Sequence, residues 1–101
     1  MGLPTRARLV KEAVDEALSL FGPSVREVVY YHCEVKFGVK REEVVFRLGE
    51  LMSCLEEIFS EASKVVERQI LDRLSVKLKV DLKGRGLREL AEGLEELLAS
   101  L

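Results

Sequence analysis

Between Thr5 and Phe21 the apolar residues Leu9, Val10, Ala13, Val14, Ala17, Leu18 and Phe21 recur at intervals of three and four. That spacing gathers them on one side of an α-helix and predicts an amphipathic first helix. Gly22 followed by Pro23 predicts its end, because glycine accepts a left-handed turn and proline cannot continue the helix. Ser24-Val25-Arg26-Glu27 has the form of a capping box, in which the serine hydroxyl accepts a first-turn N–H while the glutamate reaches back. It opens a second helix through Val25, Val28, Val29, His32, Cys33 and Phe37, closed by Gly38. Two patterns compete here. Val28, Val29, Tyr30 and Tyr31 favour strands, and Tyr31, Cys33, Val35 and Phe37 alternate. The boundary residues at both ends favour helix.

Val39 to Val45 reads as a connector with a short helical turn at Glu42 to Phe46. A third helix follows through Leu48, Leu51, Met52, Leu55, Ile58 and Phe59. Ser60 is a corner that can cap a fourth helix, with the face Ala62, Val65, Val66, Gln69, Ile70, Leu74 and Leu78. Residues 76–82 then alternate in polarity, and both a short exposed strand and a frayed helix end followed by extended chain fit that pattern. Gly84 and Gly86 interrupt the chain. Leu87, Leu90, Ala91, Leu94, Leu97, Leu98 and Leu101 form the apolar face of a last helix. The expectation is an all-α bundle of four to five helices in one domain spanning 1–101.

Composition agrees with a single modest core. A chain of 101 residues with 48% hydrophobic and 34% charged residues is far from a disordered composition, and one of this size buries roughly 65% of its unfolded surface. Sixteen basic residues nearly balance eighteen acidic ones. The chain therefore has no overall field that recruits nucleic acid or anionic lipid, which leaves only a local patch for that purpose. Asparagine is absent and Gln69 is the only glutamine, a depletion of heat-labile amides that fits a thermophilic setting. Met1 to Leu9 lacks an apolar run, and no stretch of 18 uncharged apolar residues occurs, so the expectation is a cytoplasmic protein without a membrane span.

The middle of the chain carries a resemblance. Phe21-Gly22-Pro23-Ser24, Tyr30 through Val39, Leu55-Glu56-Glu57-Ile58-Phe59-Ser60-Glu61-Ala62 and Ile70-Leu71-Asp72-Arg73-Leu74 resemble the small archaeal family called the nitrosopumilus output domain. The likeness covers residues 9–78. It departs from the family pattern at Ser60, where glycine is usual, and at Cys33, where leucine is usual. The resemblance implies a helical output or interaction module in signalling, and it supplies no catalytic residues to carry over.

Candidates for chemistry are few. His32 is the single histidine, and Cys33 and Cys54 stand 21 apart without a CxxC spacing. With Glu34 or Glu50 these groups could make up four ligands, but no recognised metal spacing is present. His32 therefore reads as a partly buried helix residue, and the cysteines as small core hydrophobes. On a helix, His32 and Cys33 point about 100° apart and make no dyad. A disulfide between the second and third helices is the remaining alternative for the thiols, since thermophile interiors depart from the reducing rule. The pairs Glu42-Glu43, Glu56-Glu57 and Glu95-Glu96 read as solvated faces, and Gly84-Arg85-Gly86 is too short for a phosphate-binding loop. No catalytic, metal or cofactor site is expected, and the chain is read as a non-enzyme.

Two surface segments remain. Lys77, Lys79, Lys83, Arg85 and Arg88 form a basic run opposed only by Asp81. It could neutralise phosphates as a nucleic-acid accessory protein does, although it lacks an interleaved aromatic to stack on bases, and exposed lysines also serve to block edge pairing. Leu87, Leu90, Leu94, Leu97 and Leu101 step by three and four as in a helical seam. That seam can fold back on its own core or dock on another protein, including a second copy of this chain. A protein-interaction or regulatory module is the preferred reading, with phosphate binding through 77–88 as its competitor.

Overall fold

Five helices and two short 3-10 turns account for nearly all of the described chain. The structure is a computed structural model; it describes the backbone of residues 5–82 and 84–99, and the side chains of 5–82 and 84–93. The helices are α1 (Thr5–Ser19), α2 (Pro23–Phe37), α3 (Leu48–Phe59), α4 (Ser63–Leu78) and α5 (Leu87–Ala99), with 3-10 turns at Arg41–Phe46 and Ser60–Ala62. No strand occurs among the described residues.

α1 sends Ala7, Val10, Ala13, Val14, Ala17 and Leu18 inward. The small residues at 7, 13 and 17 let α4 approach closely, and the α1–α4 pair is the most extensive helix contact in the molecule. α4 answers with Val66, Ile70, Leu74 and Leu78, at a spacing of four. α3 lies centrally, touching α2, α4 and α5, and buries Leu48, Leu51, Met52, Cys54 and Leu55. The resulting core is one continuous cluster. The Cα radius of gyration is 12.5 Å, close to the roughly 13 Å of a well-packed domain of this length.

The helix boundaries show where local chemistry departs from expectation. Ser24 and Glu27 do not form a capping box. Gly22, at φ 118°, is the N-cap residue of α2, and Pro23 occupies the first helical position, where its missing N–H costs nothing. Glu27 instead accepts a 2.6 Å bond from Arg41. Gly38, at φ 66°, closes α2 by donating to the carbonyls of Cys33 and Glu34, as its sequence position predicts. Ser60 marks the corner but does not cap α4 through its side chain. It terminates α3 at φ 53°, donating its N–H to the Glu56 carbonyl. The 3-10 turn at Arg41–Phe46 realises the short turn expected in the connector.

The alternating segment 76–82 is not a strand. α4 continues to Leu78, Lys79 turns left-handed at φ 57°, and the chain folds back so that Val80 and Leu82 pack against the core. The physical reason is that Leu78 extends the Ile70–Leu74 face by one more turn and is buried, which favours helix over an exposed strand at that point. Ser75 holds the return, because its hydroxyl accepts the Leu82 N–H at 3.2 Å. On α4, Val65 was expected in the core but is 55% exposed, and Ser63 and Leu71 are buried instead.

Candidate functional site: the outer face of α2 and the surface segments

Cys33 and Cys54, on α2 and α3, form a disulfide with Cα atoms 5.7 Å apart, inside the range that a bridge requires. Both residues are fully buried. The reading of the two as small hydrophobes is therefore right about their burial and wrong about their being unbonded. The spacing alone is silent on this, since pairing depends on α2 and α3 lying side by side. His32 is half-buried beside the bridge, with Nε2 3.0 Å from Glu57 Oε1 on α3. Among the described residues no group of three His, Cys, Asp or Glu is placed to hold a metal ion.

A second anchor fastens α2 to α1. The Tyr30 hydroxyl donates to the Asp15 carboxylate, and Lys11 pairs with the same carboxylate at 3.1 Å. Burial foremost, and then the bond to Asp15, pushes the Tyr30 phenol far above its ordinary value. The Arg41 guanidinium lies 4.9 Å from the ring centroid and bonds Glu27, which lowers the Glu27 carboxyl and raises Arg41.

With Val29, Tyr30 and Cys33 turned inward, the opposite side of α2 carries Ser24, Val28, Tyr31 and Val35. These recur at intervals of four, three and four, so they line up along the helix. Val28 is 53% exposed, Tyr31 72% and Val35 67%. Val28, expected in the core, is instead part of an outward apolar stripe. Glu27 and Glu34 border the stripe, and with Tyr30, Tyr31 and Arg41 they line a shallow hollow. Among the described residues Glu34 forms no ion pair. The sequence did contain a signal for this surface: the alternation through Tyr31, Cys33 and Val35 puts apolar residues on both sides of the helix.

The two segments singled out from sequence behave differently. Leu87 is fully buried and Leu90 packs against the core, so the start of the seam folds back on its own chain. The side chains of Leu94, Leu97 and Leu101 lie outside the described residues. In the basic run, Lys77 pairs with Glu16 at 2.9 Å and Glu12 at 3.5 Å. Arg88 holds Glu56 through both of its terminal nitrogens, at 2.9 and 2.6 Å, and also reaches the Ser53 hydroxyl. Arg85 pairs with Glu89 at 2.9 Å. Lys79 is exposed at the α4 C-cap, and Lys83 is outside the described residues. Arg88 pulls the Glu56 carboxyl below its ordinary value, and Glu16 raises Lys77. Three of the proposed phosphate ligands are thus already matched to carboxylates on α1, α3 and α5.

α5 is positioned by a group that sequence reasoning missed. Glu67 of α4 accepts the Leu87 N–H at 2.8 Å, supplying an acceptor for an otherwise orphan first-turn donor. Gly86 leaves room for this approach: a Cβ there would stand 3.2 Å from the same carboxylate oxygen, a tight contact that the Glu67 side chain would have to ease.

No helix among the described residues is long and apolar enough to cross a membrane. No family model, no curated protein and no solved structure matches the chain. The resemblance to the nitrosopumilus output domain accordingly rests on the quoted residues alone.

Proposed function

We propose that this chain is a non-catalytic interaction module that receives a helix of a partner protein along the outer face of α2. The observation that carries the reading is the stripe of Val28, Tyr31 and Val35, each more than half exposed. Solvated helix faces are normally polar, and a row of large apolar residues on one is informative where a single exposed residue is not. Tyrosine suits such a surface because its ring offers contact area at little entropic cost while its hydroxyl stays wet.

The surface favours a different protein over a second copy of this chain. Antiparallel two-fold pairing of α2 with itself brings the Glu34 flank of one copy against the same flank of the other, so like charges approach. The occupant is therefore an amphipathic helix whose apolar side covers the stripe and whose Lys or Arg reaches Glu34, which has no ion pair among the described residues. A signalling output role, an archaeal source and a thermophilic setting fit the resemblance and the amide-poor composition. A buried disulfide suits either a thermophile interior or an oxidising compartment. The competing assignment, nucleic-acid binding through 77–88, is disfavoured by the carboxylates already holding Lys77 and Arg88.

The test places a photoreactive amino acid at position 31, and in a control protein at Val76, an isolated residue that is 78% exposed. Both are irradiated in lysate of the source cells. A discrete adduct specific to position 31, mapping to a helix with a basic residue beside its apolar side and lost on Glu34→Lys, supports the reading. An adduct with the mass of two copies of this chain, or identical patterns from positions 31 and 76, refutes it.

A further inference from the structure

Between α4 and the returning segment after it lies a hollow of about 470 Å³, lined by Lys64, Glu67, Arg68, Leu71, Asp72, Leu82, Gly84 and Arg85. Its volume falls within the range of small-ligand sites, roughly 300–1,000 Å³. Lys64, Arg68 and Leu71 come from one face of α4 at intervals of four and three. Leu71 and Leu82 are nearly buried and form an apolar floor. Arg85 closes one side from the loop, and Gly84, at φ 81°, shapes the turn beside it.

Two cations at this hollow are without an ion pair among the described residues. Most other described cations hold an ion pair, including Lys11, Arg41, Arg47, Lys77 and Arg88. Among the described residues Lys64 and Arg68 hold none, yet they stand four apart on the same helical face, where like charges repel. The carboxylates on the rim, Glu67 and Asp72, form no ion pair with them among the described residues. Glu67 accepts the Leu87 N–H, and Asp72, one turn beyond Arg68, also lines the adjoining hollow of Glu16, Arg73, Val76 and Lys77. Arg85 is tied to Glu89 by an exposed pair, an interaction weak enough to be exchanged for a more highly charged acceptor.

We propose that this hollow is a binding site for a small organic phosphate, with Lys64, Arg68 and Arg85 around the phosphate and Leu71 and Leu82 under an apolar body. Guanidinium groups match phosphate oxygens in geometry and charge, and the floor gives the rest of the ligand a surface that water leaves readily. The site is independent of the α2 stripe, so either assignment can fail while the other stands.

The experiment uses phenyl phosphate as the probe and follows backbone amide resonances during titration of the full chain at constant ionic strength. Saturable shifts are expected at residues 64–72, 82 and 84–86, with phenyl phosphate binding more tightly than inorganic phosphate. Arg68→Glu, an exposed position whose fold is checked by its helical circular dichroism, is expected to weaken binding at least about tenfold. Arg8→Glu, an equal charge change on an exposed part of α1, should leave it unaltered. The proposal is overturned if shifts do not saturate at millimolar probe, if Arg68→Glu and Arg8→Glu behave alike, or if inorganic phosphate binds as well as phenyl phosphate.

Discussion

Breaking the Cys33–Cys54 bond is the perturbation whose size follows most directly from the structure. The bond closes a loop across a sequence separation of 21. In the chain-entropy account, reopening that loop in the unfolded ensemble stabilises the unfolded state by about 3 kcal/mol. A domain of this length has roughly 5–15 kcal/mol in total, so the reduced protein stays folded but loses a large share of its margin. With a urea slope of about 1.5 kcal/mol/M, the unfolding midpoint drops by about 2 M.

The assay has to respect the burial of the bond. Both cysteines are fully inaccessible, and thiol–disulfide exchange requires a thiolate to reach a sulfur. Reductant added to native protein therefore acts only through opening of the fold. Reduction should be carried out in denaturant, followed by refolding with reductant present, and the urea curves of the two forms compared at one pH. Reduced wild type isolates the cross-link, because every atom of the core except the bond is kept. Cys33→Ala/Cys54→Ala adds the loss of two buried sulfurs and should lie lower still. Superimposed curves for the oxidised and reduced wild type, or two titratable thiols in oxidised protein after unfolding, would refute the reasoning.

Other consequences are smaller and equally concrete. Glu67→Ala removes the acceptor for the Leu87 N–H and should cost about 1 kcal/mol, with helical signal lost from α5 first as temperature rises. Tyr30→Phe removes the donor to Asp15 and should cost about 1 kcal/mol in urea unfolding. Because the folded-state phenol of Tyr30 is raised above 10.0, its contribution is complete below pH 10 and declines above it, so wild type should lose more stability than Tyr30→Phe on alkaline titration. Glu27, Glu50 and Glu56 are each held below 4.5, foremost by hydrogen bonds from Arg41, Arg47 and Arg88 respectively. Their contribution is present above pH 4.5 and disappears as pH falls through the folded-state values, which thermal melts between pH 6 and pH 2 at low salt will follow.

The helical architecture was legible because periodicity and boundary residues agreed. Gly22-Pro23 and Gly38 bracket α2 where they predict it, and Leu48 to Phe59 coincides with α3. What escaped was chemistry settled by tertiary neighbours. Glu27 has the right spacing to cap α2, but Arg41 lies within reach and is the stronger partner. Over Val76 to Leu82 the sequence left two readings, and the burial of Leu78 decides for a helix end at 78 followed by extended chain. The basic run looks like a patch in one dimension, yet the carboxylates of Glu12, Glu16 and Glu56 come to it from other helices. The hollow beside α4 takes only Arg85 from that run and finds its other cations, Lys64 and Arg68, some twenty residues upstream. Such pairings have no local signature.

α2 joins the stability and the proposed function of this protein in one element. It buries only Val29, Tyr30 and Cys33, whereas α1 buries Ala7, Val10, Ala13, Val14, Ala17 and Leu18. A helix with so little apolar area turned inward gains little from packing. The disulfide to α3 and the Tyr30–Asp15 bond to α1 hold it in place, which frees Val28, Tyr31 and Val35 to face outward. Reduction should accordingly loosen α2 more than the rest of the bundle. In native-state hydrogen exchange, α2 amides of the oxidised protein should share the opening free energy of α1 and α4. In the reduced protein they should open locally, at a free energy below the new global value that α1 and α4 report. If α2 tracks α1 and α4 in both forms, inward packing alone fixes the helix, and its outward stripe was not bought with a covalent anchor.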